Sequence, residues 1–113
     1  MGQPLFSLGD PTSSLNAAVV TGGGTAVNGI KRGGFTIFVR AASVTSGGTV
    51  IIEVCDTDSS TSTDWVTVAT VPVVANGTQT VVVDQPYPYI RANVSARTDG
   101  AYTAKIYPWV GPR

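Results

Sequence analysis

Two stretches decide the fold of this chain: Asp64-Trp65-Val66-Thr67-Val68-Ala69-Thr70-Val71 and Pro86-Tyr87-Pro88-Tyr89-Ile90-Arg91-Ala92-Asn93-Val94. In the second, Ile90, Ala92 and Val94 alternate with Arg91, Asn93 and Ser95. That is the period of two that sends apolar side chains to one face of a strand and polar ones to the other. In the first, valine and threonine take turns, and β-branched side chains lose little when held on a pleated, half-buried surface. Both stretches spell strands.

The same pattern extends outward. Phe35, Ile37, Val39 and Ala41 alternate with Thr36, Phe38, Arg40 and Ala42, which predicts a strand from 35 to about 44 with the first set facing the core and Phe38 facing outward as a contact residue. Val50, Ile52 and Val54 form the inner face of a strand over 49–57, with Ile51, Glu53 and Cys55 outward. The strand over 65–74 contains Pro72, which removes a ladder hydrogen bond and places that strand at a sheet edge or end. Asn76-Gly77 lies between two valine-rich runs, the pattern of a tight hairpin with the strand over 78–84. After the strand over 89–97, Thr98-Asp99-Gly100 turns the chain so that 101–107 pairs back, with Tyr102, Ala104 and Ile106 on one face. Short strands are expected over 17–21 and 25–27, separated by Gly22-Gly23-Gly24. Residues 1–16 carry two prolines and no periodicity and read as an extended arm. The expected architecture is all-β: a single antiparallel β-sandwich or jelly roll of about eight strands over 17–113, preceded by the arm over 1–16.

Composition narrows the function. At 113 residues the chain suits one domain, which at this size buries roughly 65% of its unfolded surface. Net charge is zero and 12% of residues are charged, so no basic field exists for a phosphate backbone and nucleic acid is not an expected partner. Low charge with little self-repulsion favours association, so a homo-oligomer or a bound array is expected. The first residues have neither the basic region nor the apolar run of a signal peptide or membrane span, so no membrane partner is expected.

Catalytic vocabulary is nearly missing. There is no histidine, and the one cysteine, Cys55, has no base to activate it. Glu53 and Asp56 are expected to point to opposite faces, which does not suit two acids flanking one sugar bond. Asp56, Asp58 and Asp64 share a loop with several hydroxyls, yet without the glycine and terminal glutamate of a helix-loop-helix calcium site; the loop reads as solvated. No enzyme activity, cofactor or metal is expected. The aromatic residues are the contact candidates, because they combine area with a polar handle: Tyr87, Tyr89 and Trp109, with Leu5, Phe6 and Leu8 in the arm. Trp65 is expected in the core.

From Gly48 onward the order is Thr49-Val50-Ile51-Ile52-Glu53-Val54, an acidic Ser/Thr loop, Asp64-Trp65-Val66-Thr67-Val68-Ala69, Asn76-Gly77-Thr78 and Tyr87-Pro88-Tyr89-Ile90-Arg91-Ala92-Asn93-Val94. This order, over residues 48–109, resembles small β-sandwich virion proteins of tailed bacteriophages, especially head decoration or cement proteins that clamp neighbouring capsomers. The resemblance implies a virion protein made in the host cytoplasm, with the major capsid protein or other virion proteins as partners. A neck or tail component is the neighbouring alternative. Discoidin-type and other carbohydrate-binding jelly rolls share the order too, which keeps a carbohydrate- or receptor-binding module as the second reading. Against it stand the short domain and the missing cysteine pair. On the decoration reading, removal of residues 1–15 is expected to leave a folded domain that no longer holds its partner.

Overall fold

The computed structural model describes residues 7–110. Phe35, Ile37, Val39 and Ala41 are all buried, while Phe38, Arg40 and Ala42 between and after them are exposed. The same alternation holds for Ile90, Ala92 and Val94 and for Tyr102, Ala104 and Ile106, none of which is exposed at all. These inward sets, with Val50, Ile52 and Val54, form one apolar layer. Burying each large aliphatic or aromatic side chain in that layer contributes about 1.5–3 kcal/mol.

The described elements are β1 (Ser7–Leu8), β2 (Thr12–Ala18), β3 (Gly22–Gly23), β4 (Val27–Asn28), β5 (Phe35–Ala42), β6 (Gly48–Cys55), β7 (Val66–Val73), β8 (Gly77–Val83), β9 (Tyr89–Arg97) and β10 (Ala101–Val110), with a 3-10 turn at Ser62–Asp64. They make two antiparallel sheets. The first runs β1-β10-β5-β8, with β2 also paired to β10; the second runs β3-β9-β6-β7, with β4 also paired to β9. Both sheets contribute side chains to the same core, so the fold is all-β and sandwich-like.

Pro72 sits on β7, an edge strand as its missing donor requires. Two expected pairings, however, are corrected. Asn76-Gly77 does not close a hairpin, because β7 pairs with β6 and β8 pairs with β5 in the other sheet. The strand from 101 does not pair back on β9 either; it lies between β5 and the N-terminal strands. Both turns carry the chain from one sheet to the other. A hairpin and such an arch need the same local reversal, and long-range partners decide between them. The Asn76 side chain, expected to serve its own turn, instead accepts the Val44 N–H at 2.8 Å. The Asp99 carboxylate accepts the N–H groups of Thr45, Ser46 and Gly47 at 2.9–3.1 Å. The two arches at this end are thus tied to the third, between β5 and β6.

The N-terminal arm is also redrawn. The boundary expected at residue 16 falls inside β2, and Leu15 is part of the core. Ser14 explains why this segment is fixed. Its hydroxyl donates to the Thr25 carbonyl and accepts the Ala92 N–H, both at 2.8 Å. It fills the break between β3 and β4: Ala92 pairs with Ile52 of β6 on one side of β9 and has no strand partner on the other, where the Gly24 N–H and the Ser14 hydroxyl take its backbone groups. Gly24 permits the approach: a Cβ there would lie 1.8 Å from the Ser14 carbonyl oxygen.

Candidate functional site

The contact residues expected from the sequence separate onto two surfaces. Leu5 and Phe6 lie outside the described residues. Leu8 pairs with Trp109 across β1 and β10, and Phe38 pairs with Lys105, two residues before Tyr107 on β10. Period two then puts Leu8, Phe38, Lys105, Tyr107 and Trp109 on the outer face of the first sheet. Val82 joins them through its pairing with Thr36. Leu8 is 53% exposed, Val82 59% and Phe38 38%.

Trp109 is half-buried on this face. Its indole N–H donates to the Thr36 hydroxyl at 2.9 Å, and its ring lies where a Cβ on Gly34 would come within 2.9 Å. The indole is therefore anchored at its N–H and along the six-membered ring that faces Gly34. Phe38 and Tyr107 stack edge-to-face, centroids 5.6 Å apart and planes at 74°, a favoured aromatic geometry. Beside them lies a shallow groove of about 220 Å³ lined by Phe38, Arg40, Thr103, Lys105 and Tyr107. Tyr107 belongs to the aromatic set expected from the sequence to offer contact faces, but Arg40 and Lys105 do not. Arg40 shares the outward face of β5 with Phe38 by strand period, whereas Lys105 and Tyr107 reach Phe38 only through the register of β5 against β10.

Tyr87 and Tyr89 belong elsewhere. Tyr87 packs against the core edge and lines a hollow with Val54, Cys55, Asp56 and Asp64. Tyr89 stands opposite Cys55 on the second sheet. Both are half-buried, and neither shares a surface with Phe38 or Trp109.

The outer face of the second sheet holds a polar cluster. Glu53 is buried, and its Oε1 accepts the Arg91 Nε–H and an Asn93 amide N–H, each at 2.9 Å. The Arg91 guanidinium lies 4.3 Å from the Trp65 ring centroid. Trp65 is buried, as expected, though beside rather than within the main inter-sheet cluster; its indole N–H donates to the Ser59 carbonyl at 3.0 Å and pins the loop over 56–64. The loop folds on itself, with the Ser59 hydroxyl donating to Asp64, and the Glu53 carboxylate is held by two donors. Cys55 is buried, its thiol donating to Asp56 at 3.6 Å. Among the described residues, no group of three His, Cys, Asp or Glu side chains is placed to hold a metal ion. No described helix is long and apolar enough to cross a membrane.

Comparison with known proteins finds no matching family model, no matching curated protein and no matching solved structure.

Proposed function

We propose that the chain is a structural virion protein that decorates and stabilises the outside of a bacteriophage capsid, working through surface contact and not through chemistry. The observation that carries this reading is the outer face of the first sheet, where Leu8, Phe38, Tyr107, Val82 and Trp109 stand together. A contiguous apolar stripe on a folded surface is costly to leave in water and marks a face used against another protein. The adjoining edge agrees with it. Edge strand β8 carries neither a charged residue nor a proline, and edge strands that must stay unpartnered are commonly protected by one or the other.

We further infer a jelly roll. With β1/β2 and β3/β4 each taken as one interrupted strand, the sheets read β1/β2-β10-β5-β8 and β3/β4-β9-β6-β7. Eight-stranded double sheets of this kind are used by viral capsid and lectin domains. The virion assignment itself rests on the resemblance of residues 48–109, and a neck or tail component is the variant of it with the same chemistry. Retention on a particle follows from several modest contacts per copy, each made easier once the first is formed.

Quantitative mass spectrometry of purified particles against the major shell protein tests the proposal. High copy number in simple ratio to the shell protein is the expected result. A handful of copies would move the protein to the neck or tail, and absence from particles would overturn the virion reading.

A further inference from the structure

We propose that the groove on the first sheet receives a second copy of this chain, through the acidic loop and the exposed valine side chains that begin its β7, so that copies join head to tail. The proposal deepens the assembly reading by naming a partner for the same face, and rests on that reading.

Two surfaces on the molecule carry it. The groove presents Arg40 and Lys105 with no carboxylate in its lining. Neither cation forms an ion pair among the described residues; Arg40 makes one long hydrogen bond, 3.3 Å, to the neutral Thr78 hydroxyl. Beside the cations lie the rings of Phe38, which pairs with Lys105, and of Tyr107, two residues further along β10. The opposite composition occurs at 56–68. Asp56, Asp58 and Asp64 are all exposed there, followed by Val66 at 62% and Val68 at 36% exposure. One surface thus combines positive charge with exposed aromatics, and the other brings Asp56 and Asp64 together with the exposed Val66 around one hollow. Opposed potentials of this kind steer encounter and fix register between partners.

The loop cannot serve the groove of its own molecule. It joins β6 to β7 in the second sheet, whereas the groove lies on the outward side of the first, with the core between them. The contact is therefore intermolecular and uses different surfaces on the two copies. Such an interface closes into a ring or continues as an array according to the rotation it imposes. The chain's zero net charge leaves no long-range repulsion to oppose it.

Sedimentation velocity of the full-length protein over a range of concentration and salt tests the inference. Self-association is expected at low ionic strength and should weaken as salt screens the charges. Arg40→Glu/Lys105→Glu should raise the dissociation constant about tenfold or more, as should Asp56→Lys/Asp58→Lys, since each then sets like charges against each other. Mixing the two variants should restore association, because each reversed surface meets a reversed partner. All four positions are exposed, so circular dichroism should show wild-type folding. A wild-type chain that stays monomeric overturns the inference, as does association that survives either double substitution or is not restored by mixing. The same result is reached if the groove binds an acidic glycan while the protein stays monomeric. Copy number in particles is read separately, so an incorporated but monomeric protein would leave the assembly reading standing and remove only self-docking.

Discussion

Arg91 and Glu53 stand directly opposite each other on β9 and β6, and the arginine Nε–H reaches the carboxylate at 2.9 Å with both side chains nearly buried. The guanidinium also covers Trp65, so one cation joins a central strand, its neighbour and the loop that ends in the tryptophan. Removing the arginine leaves a buried carboxylate without its countercharge. Arg91→Ala is expected to cost about 3–5 kcal/mol in urea denaturation. Glu53→Gln/Arg91→Met should cost markedly less, because no unpaired charge remains. Equal losses in the two variants would show that packing, not the ion pair, carries the energy.

Ser14 is buried and bonded on both sides, to Thr25 and Ala92. Ser14→Ala should lose about 1–3 kcal/mol for each backbone group left unpaired. Ser13→Ala, at the exposed neighbour on the same strand, should stay within about 0.5 kcal/mol of wild type. Chemical denaturation midpoints of the pair decide whether the hydroxyl or merely the position matters.

Hydrogen bonds from Ser46, Gly47 and Thr45 hold the Asp99 carboxyl below its ordinary value of 3.8, with Arg97 adding to the effect. A depressed folded value stabilises the protein above pH 3.8, and that contribution is lost as the pH falls through the folded value. Asp99→Asn should therefore melt below wild type at neutral pH, and the gap should narrow below pH 3.8. A gap constant across that range would show that the carboxylate charge contributes nothing.

A Cβ on Gly34 would lie 2.6 Å from the Val83 carbonyl oxygen and 2.9 Å from the Trp109 ring. Gly34→Ala is expected to destabilise by about 1–3 kcal/mol through overpacking. It should also shift Trp109 emission to the red when measured in a Trp65→Phe background. Unchanged emission would place the strain on Val83 alone.

Truncation separates the strand from what precedes it. Deleting residues 1–15 removes Ser14 and Leu15, and the product should lose cooperative thermal unfolding; this reverses the outcome expected from the sequence. Deleting residues 1–6 keeps every described strand and should unfold cooperatively, which makes it the variant in which to measure the contribution of Leu5 and Phe6 to association. A wild-type melting curve for the longer deletion would return residues 12–15 to the arm.

The inward faces were legible from the sequence alone. Phe35/Ile37/Val39/Ala41, Val50/Ile52/Val54, Ile90/Ala92/Val94 and Tyr102/Ala104/Ile106 announce themselves because strand periodicity is local, and each set is buried as its spacing requires. Pro72 announced an edge for an equally local reason, its missing donor. Strand partnership was not legible. Asn76-Gly77 and Asp99-Gly100 encode reversals, and a reversal suits a hairpin or an arch alike. Only β5 and β6, offering their backbone groups in separate sheets, sent β7 and β8 apart. The tertiary structure also decided what Ser14 does, since its partners lie 11 and 78 residues away. By the same means it gathered Leu8, Phe38 and Trp109 onto one face and left Tyr87 and Tyr89 on another. Residues far apart in the chain share a surface only through the register of strands between them, and that register is set when the two sheets close over their common core.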